Sequence, residues 1–255
     1  MKTYNLSEYF NYFDAIYCIN LDFRKDRWKA VMREFKKLGI QNKIKKFSAV
    51  WTPENGSIGC LTSHREIIKM AKLNNWNNVL VFEDDIKIVQ KNTKYISNSI
   101  KQLRKIEWDI FYFAWTFIPF DFPVLLKNNN LYRLSGGRGG HAIAYNKSIY
   151  TKILNDTENI TSFIRKHRAL DLYLSRFVQR KCFAYIAEKT IFTQQPGVSN
   201  ISGGFRNWEN YIIDKFEYFS KLPSLTKKRN KIFQKILPII WLLQCFLRPR
   251  VKVVK

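Results

Sequence analysis

The chain has 255 residues, of which 44 are Lys or Arg and 20 are Asp or Glu, and its formal net charge is +24. With 46% hydrophobic and 16% aromatic residues it can bury a core, which excludes global disorder. The charge favours anionic partners such as nucleic acid, acidic lipid or phosphorylated small molecules. Because Lys, Asn and Ile are abundant along the whole chain, a compositional origin of this excess stays open.

The cysteines and the N-terminus indicate a reducing compartment. Cys18, Cys60, Cys182 and Cys245 form neither a CxxC pair nor a zinc-ligand spacing, so we expect reduced thiols. Acidic residues interrupt the N-terminal segment where a signal peptide needs a continuous apolar stretch. We therefore expect a cytoplasmic protein.

The first ninety residues predict an α/β sheet. AIYCINL, from Ala15 to Leu21, is typical of a buried strand, and the amphipathic stretch RWKAVMREFKKLG predicts a helix that ends at Gly39. KKFSAV predicts a second strand, CLTSHREIIKMAKLN a second helix, and NVLVFEDDI a third strand covered on both faces. Strand, helix and strand in this order open an α/β fold.

Three adjacent carboxylates, Glu83, Asp84 and Asp85, follow the third strand. In open α/β sheets, ligands bind outside the carboxyl ends of the strands. Adjacent carboxylates repel one another unless a cation neutralises them, and Mg²⁺ or Mn²⁺ suits such oxygen ligands and also bridges a pyrophosphate. If the first and third strands are neighbours, Arg24 and Arg27 lie beside the same edge. The alternative is a solvated strand end followed by a turn.

The rest of the chain predicts a single domain, residues 1–225, and a tail, residues 226–255. NTKYISNSIKQLRKI predicts a helix, DIFYFAW and CFAYIAE strands, GGHAIAYNKSIYTKIL a turn, strand and helix, and HRALDLYLSRFVQ a further helix. Residues 116–130 are expected to be a loop. In the tail, nine Lys or Arg and no acid surround ILPIIWLLQCFL, which is shorter than the roughly 20 residues that span a bilayer. We expect this tail to lie on an anionic membrane surface, although a final helix packed on the domain is the alternative.

Three of these segments, in a fixed order, resemble the family 25 glycosyltransferases, which include bacterial lipooligosaccharide galactosyltransferases and the collagen galactosyltransferases. They are INLDFRKDR, GSIGCLTSHREIIKMA and VLVFEDDI. The matching positions are Asn20, Leu21, Arg24, Asp26 and Arg27, then Gly59, Cys60, Ser63 and His64, then Glu83, Asp84 and Asp85. Because collagen-type members carry a secretory signal and additional domains, the bacterial branch is the better match.

The resemblance implies a single-domain, GT-A-like (Rossmann-like) nucleotide-sugar transferase with a central, mostly parallel sheet. It implies inverting transfer of a sugar, galactose in the first instance, from a UDP-sugar to a lipooligosaccharide, lipopolysaccharide or other cell-surface glycan. Asp84 and Asp85 are expected to bind Mn²⁺ or Mg²⁺ and the diphosphate.

Other positions are expected to support the donor and the reaction. Asn20, Leu21, Arg24, Arg27, Ser63, His64 and Glu83 are expected to line the donor site together with Asp84. Asp171, in RALDLYL, is the candidate base that takes the proton from the acceptor hydroxyl. Its alternative role is that of an acid at a helix N-terminus, where the helix dipole favours it.

The expected partners are the UDP-sugar, a glycan or glycolipid acceptor, and the inner face of the cytoplasmic membrane, which the tail contacts as a peripheral anchor. A nucleic-acid-binding protein and a metal-dependent phosphodiesterase are the competing interpretations. Nucleic acid is not expected, because the aromatic residues follow core patterns and no helix-turn-helix, RRM or zinc pattern occurs.

Overall fold

The computed structural model describes residues 6–89, 93–115, 124–128, 131–187, 189–201 and 203–207. The predicted boundary at residues 225 and 226 and the basic tail lie outside these residues. No helix in the described part of the chain is long and apolar enough to cross a membrane.

An eight-stranded sheet forms the centre of the molecule, in the order β2-β1-β3-β8-β5-β9-β7-β6. Its strands are β1 (Ala15–Asn20), β2 (Ile44–Ser48), β3 (Asn78–Glu83), β5 (Ile110–Tyr112), β6 (Val124–Asn128), β7 (Leu131–Ser135), β8 (Ala142–Asn146) and β9 (Ala184–Ala187). Six of the eight run in one direction, while β7 and β8 run in the other. The predicted α/β class and mostly parallel sheet are confirmed.

Two small antiparallel pairs stand outside the central sheet. β4 (Ile86–Ile88) follows the acidic triplet and pairs with β10 (Phe192–Gln194). β11 (Gly197–Val198) pairs with β12 (Phe205–Arg206). The first pair brings the segment after residue 190 to the end of β3, so residues distant in sequence meet at this edge.

The helices pack on both faces of the sheet. They are α1 (Ser7–Phe10), α2 (Lys25–Leu38), α3 (Gly56–Leu73), α4 (Thr93–Leu103), α5 (Lys147–Asp156), α6 (Ile160–His167) and α7 (Leu170–Tyr173). α2 ends at Gly39, which adopts the left-handed conformation that glycine tolerates best, as predicted. α3 begins at Gly56, earlier than the sequence pattern indicated, and the side chain of Asn55 caps it by accepting from the N–H of Ser57.

Two predictions need correction. The sequence predicted a single helix over HRALDLYLSRFVQ. The structure instead has the short α-helix α7, followed by a π-helical turn (Leu174–Val178) and a 3₁₀ turn (Gln179–Lys181). The predicted loop 116–130 contains strand β6, which adds the edge strand of the sheet beside β7. Residues 116–123, 129 and 130 lie outside the described part of that segment.

Side chains along β3 point alternately to the two faces of the sheet, and each face has its own apolar cluster. Val79 and Val81 belong to the apolar cluster that includes α3, whereas Leu80 and Phe82 belong to the cluster that includes α2. All four side chains are fully buried, as expected for a strand with helices on both faces. The apolar run that precedes the carboxylates is therefore a central strand, which fixes the position of the acidic triplet at the edge of the core.

β1 lies directly beside β3 in parallel register, with Ile19 opposite Glu83. The predicted adjacency of the first and third strands is confirmed. The turn after β1 and the carboxylates after β3 consequently open on the same edge of the sheet, and the beginning of α3 reaches this edge as well.

Candidate functional site

A first cavity, of volume ≈ 110 Å³, lies at the carboxyl ends of β1 and β3. The residues predicted for the donor and metal that line it are Asn20, Leu21, Arg27, Ser63, Glu83, Asp84 and Asp85. Residues after β10, including Asn200 and Ile201, close its opposite side. The structure therefore brings most of the predicted donor residues together from distant segments; Asn20 and Asp84, for example, are 64 positions apart in the sequence.

Asp84 accepts a hydrogen bond from Asn20 and forms an ion pair with Arg27. Asn20 Nδ2 donates to its Oδ2 at 2.6 Å, and Arg27 Nη1 donates to its Oδ1 at 3.0 Å. Burial raises the pKa of Asp84, and the charge of Arg27 opposes that rise. Both carboxylate oxygens of Asp84 are thus engaged within the protein.

The carboxylate of Asp85 has fewer partners than that of Asp84. Its Oδ2 accepts from Gln194 Nε2 at 3.2 Å and lies 3.8 Å from Arg27 Nη1. Its Oδ1 is buried and accepts no hydrogen bond from the described residues. Burial and then the charge of Glu83 raise the pKa of Asp85 to about 7. A partly buried carboxylate with one unused, buried oxygen is chemically suited to a divalent cation such as Mg²⁺ or Mn²⁺.

Glu83 contacts a different set of side chains from α3. Its Oε1 lies 3.8 Å from His64 Nε2 and 4.0 Å from Cys60 Sγ. Burial opposes ionisation of Glu83, yet the adjacent His64, His141 and Arg27 lower its pKa on balance. Glu83 therefore faces side chains of α3, whereas Asp84 and Asp85 share the guanidinium of Arg27.

Arg24, which precedes α2, and Arg27, in the first turn of α2, hold the segment that closes the first cavity. Arg27 Nη2 donates to the carbonyl oxygen of Val198 at 2.7 Å. Arg24 forms a fork onto Asp26, at 2.9 and 2.8 Å, and its Nη1 donates to Asn200 Oδ1 at 2.6 Å. Arg27 lines the cavity, whereas Arg24 lies behind its wall. Both arginines are therefore already paired, which limits how many donors they offer to a phosphate.

Ser63 and Gly59 hold the loop after β2 against α3. Ser63 is fully buried; its Oγ donates to the carbonyl oxygen of Gly59 at 2.7 Å and accepts from the N–H of Val50 at 3.0 Å. A Cβ at Gly59 would lie 2.2 Å from the carbonyl oxygen of Val50, so only glycine permits this approach. The loop that follows carries Trp51, half exposed at the cavity rim.

A second cavity, of volume ≈ 310 Å³, adjoins the first. Cys60, Glu83 and Gln194 line both cavities, so Glu83 stands in the wall between them. The charged residues Asp171 and Arg138 line only the second cavity. The predicted base therefore lines a different cavity from Asp84 and Asp85.

Asp171 lies at the beginning of α7. Its Oδ1 accepts from the N–H of Leu172 at 2.8 Å, an arrangement that also fits the predicted alternative of a helix-start acid. Burial raises the pKa of Asp171, and the backbone hydrogen bond from Leu172 opposes that rise. A partly buried carboxylate with a raised pKa in the wall of a cavity has the properties of a general base.

Two histidines complete the wall of the second cavity. His64 is 1% exposed, and its Nδ1 lies 3.2 Å from the hydroxyl oxygen of Tyr145. Burial lowers the pKa of His141 to about 4, so this ring is neutral at physiological pH. The site thus places a neutral imidazole, that of His141, close to the carboxylate of Glu83.

Comparison with known protein families gives a match to part of this chain. Residues 52–132 match the family described as glycosyltransferase family 25 (LPS biosynthesis protein). The resemblance to family 25 glycosyltransferases is confirmed over this segment, which includes α3 and the acidic triplet. The match covers less than half of the chain. The end of β1 and Asp171 lie outside the matched residues, so their family roles stay predictions.

Solved structures resemble the chain only distantly. Mannose-1-phosphate geranyltransferase from Thermus thermophilus is 8% identical with a TM-score of 0.41, over 76% of this chain and 75% of that one. A197 from STIV is 6% identical with a TM-score of 0.37, over 71% of this chain and 93% of that one. A search of curated proteins gave no match.

The sequence indicated a strand and a closing loop over IFTQQPGVSNISG but gave no role in the site to its individual residues. Gln194, Val198 and Asn200 meet the acidic triplet and the arginines through the pairing of β10 with β4, which no local pattern announces. The sequence indicated Cys60 only as a reduced thiol and a motif position. Its spacing of four residues from His64 was a signal, because residues four apart share one face of a helix.

Proposed function

We propose that the chain is a metal-dependent, inverting glycosyltransferase that moves galactose from UDP-galactose to a lipooligosaccharide, a lipopolysaccharide or another cell-surface glycan. The observation that carries this proposal is the pair of adjoining cavities, with the acidic triplet in the first and Asp171 in the second. The family 25 match over residues 52–132 supports the class of reaction.

The first cavity is the proposed donor site. Asp85 has a free buried oxygen for Mn²⁺ or Mg²⁺, and Asp84 joins it if the pairing with Arg27 rearranges. When bound, such a cation stabilises the charge of the leaving diphosphate as a Lewis acid. Arg27 adds a fixed positive charge beside the same carboxylates. The exposed ring of Trp51 at the rim offers a stacking surface for the uracil base.

The second cavity is the proposed acceptor site. In direct displacement, the acceptor oxygen forms a bond to the anomeric carbon as the bond from that carbon to the UDP oxygen breaks. Asp171 takes the proton that the acceptor hydroxyl loses, and UDP leaves with the bonding electrons. Attack from the side opposite the leaving group inverts the anomeric centre. The placement of Asp171 in a cavity that adjoins the donor cavity supports this assignment.

The basic tail, residues 226–255, is the proposed membrane contact. Its nine cations and central apolar segment fit an interfacial anchor on an anionic surface, which places the enzyme at the inner face of the cytoplasmic membrane beside a glycolipid acceptor. Truncation after Pro223 should abolish binding to anionic vesicles. Unchanged vesicle binding of the truncated chain would remove this role from the tail.

The donor is tested by titrating UDP and UDP-galactose into the full chain by calorimetry, with and without Mn²⁺. We expect Mn²⁺-dependent binding in the wild type and its loss in Asp85→Ala. Asp22→Ala is the matched control, because Asp22 follows β1 on the exposed side and pairs with Lys46 and Ser48 instead of facing the cavity. Absence of UDP binding under every condition would refute the proposal and make nucleic acid the next ligand to test.

A further inference from the structure

Cys60, His64 and Glu83 form a compact cluster that the proposed donor chemistry does not use. Cys60 and His64 lie one turn apart on the same face of α3, and Glu83 is the last residue of β3. One ligand atom from each, Sγ, Nε2 and a carboxylate oxygen, lies within 4.8 Å of the other two. The distances to Glu83 Oε1 are 3.8 Å from Nε2 and 4.0 Å from Sγ.

The His64 ring is directed into this cluster without a hydrogen-bond partner on that side. Its Nε2 is buried and makes no hydrogen bond within the described residues, since the 3.8 Å separation from Glu83 exceeds a hydrogen bond. Its Nδ1 lies 3.2 Å from the hydroxyl oxygen of Tyr145. When that oxygen accepts the Nδ1 proton, the lone pair of Nε2 faces Cys60 and Glu83. Ligating histidines are commonly held by such a second hydrogen bond.

Space for an ion exists beside these atoms. Gly140 faces the cluster, and a Cβ at this position would lie 3.4 Å from Glu83 Oε1 and 3.9 Å from His64 Nε2. Because glycine has no side chain, this side of the cluster stays open. All three side chains also line the second cavity, which gives an ion there one free coordination position.

We propose that Cys60, His64 and Glu83 bind a Zn²⁺-type divalent cation whose fourth coordination position opens on the second cavity. Sulfur, imidazole and carboxylate ligands together suit this borderline-soft ion, whereas the oxygen ligands of Asp84 and Asp85 suit Mg²⁺ or Mn²⁺. Zinc bonds of about 2.0–2.3 Å in tetrahedral geometry separate neighbouring ligand atoms by about 3.3–3.6 Å. The two observed distances to Glu83 Oε1 need to contract by about 0.5 Å. The separation between Cys60 Sγ and His64 Nε2, which is within 4.8 Å, closes to the same range when the side chains turn towards the ion.

This site is distinct from the proposed donor metal and does not depend on the transferase activity. Glu83 is directed towards α3, while Asp84 and Asp85 contact Arg27 and Gln194. A thiophilic ion would link α3 to the end of β3 and offer a ligand position in the proposed acceptor cavity. The two metal sites can therefore be tested separately in the same protein.

The direct test adds Co²⁺ to the full chain after treatment with a chelator and records the near-ultraviolet absorption of a Co²⁺–thiolate bond. We expect this absorption in the wild type and its loss in Cys60→Ser. Cys182→Ser is the matched control, because Cys182 is a buried free thiol away from both cavities and should leave the absorption unchanged. Competition with Zn²⁺ should remove the cobalt signal.

A second variant guards against a folding defect in Cys60→Ser. Tyr145→Phe keeps all three ligands and removes the hydroxyl beside Nδ1, so Co²⁺ binding should weaken by about 10-fold to 100-fold with the fold intact by circular dichroism. Asp85→Ala should retain the thiolate absorption while it loses Mn²⁺-dependent UDP binding. No thiolate absorption in the wild type, or the same absorption in Cys60→Ser, would overturn the zinc site and leave the proposed transferase unaffected.

Discussion

Arg27 joins Asp84 to the segment that closes the first cavity. One guanidinium nitrogen lies 3.0 Å from Asp84 Oδ1, and the other donates to the carbonyl oxygen of Val198 at 2.7 Å. The two side chains are only 17% and 9% exposed, so solvent screens their attraction weakly. The charge of the acidic triplet and the position of the closing segment are thereby coupled through one side chain.

Replacing Arg27 with Ala should destabilise the protein by about 2–3 kcal/mol, because Asp84 is left buried without its neutralising partner. Urea denaturation of wild type and variant measures this change. Arg27→Lys is the matched control: it keeps the positive charge and loses the fork that reaches Val198, so we expect a smaller loss of stability. Equal stability of Arg27→Ala and the wild type would contradict the assigned pairing.

Ser63 is predicted to act through the loop after β2. Ser63→Ala should lower the free energy of unfolding by about 0.5–1.5 kcal/mol, because the N–H of Val50 loses its acceptor. Thr62→Ala is the matched control, since the Thr62 hydroxyl makes the same kind of bond to the residue four positions earlier, at 2.8 Å, but has no loop partner among the hydrogen bonds of the described residues. Urea denaturation of both variants separates the two contributions. A loss in Thr62→Ala as large as that in Ser63→Ala would show that the loop contact contributes nothing.

The sequence predicted the central part of the fold because local patterns there agree with the tertiary structure. A continuous apolar run suits β3, which is buried on both faces, and Gly39 ends α2 where its backbone is left-handed. The acidic triplet was placed at a strand end by the same run. These features need only nearest-neighbour information, which a sequence carries directly.

The rest of the site depends on contacts between distant segments. Glu83 meets Cys60 and His64 because α3 packs across β3, and Asp85 meets Gln194 because β10 pairs with β4. No periodicity encodes these approaches. Likewise, the pattern around Asp171 predicted one helix, whereas tertiary packing turns it into three short helical segments of different types.

Trp51 is predicted to bind the nucleobase. Its ring is 45% exposed at the rim of the first cavity and packs edge-on against Phe23, with centroids 5.2 Å apart. Trp51→Ala should weaken UDP binding by about 1–3 kcal/mol through the loss of stacking, while Trp51→Phe should retain most of it. Calorimetry with UDP and with inorganic diphosphate separates the base from the phosphates, since only UDP binding should change.

Phe23→Ala is the control for Trp51. Phe23 is 56% exposed and supports Trp51 from the side, but it is absent from the lining of both cavities. We therefore expect a smaller effect on UDP binding than that of Trp51→Ala. Weakened binding of inorganic diphosphate in Trp51→Ala would indicate that the substitution distorts the cavity instead of removing a stacking surface.

The raised pKa of Asp171 predicts how the transfer reaction depends on pH. A general base acts only when deprotonated, and burial raises the pKa of Asp171 above its ordinary value of 3.8. Activity should therefore fall as the pH decreases through this raised pKa, with the decline beginning at a higher pH than an exposed aspartate gives. The pH profile of kcat/KM measures this. Asp171→Asn should abolish transfer and leave UDP binding intact, whereas retained turnover would remove Asp171 from the role.

The raised pKa of Asp171 also makes stability depend on pH, in the opposite direction to activity: activity rises with pH, whereas stability falls. Between the unfolded and folded pKa values the native state binds more protons than the unfolded state, so the stability of the wild type falls as the pH rises through this range. Asp171→Asn cannot ionise and should be more stable than the wild type at neutral pH, with the difference disappearing below pH about 4, where both forms are uncharged. A variant that is inactive and more stable only at neutral pH would identify a buried carboxylate kept for reactivity. A variant less stable at every pH would instead support the helix-start role, in which the bond from Leu172 stabilises α7.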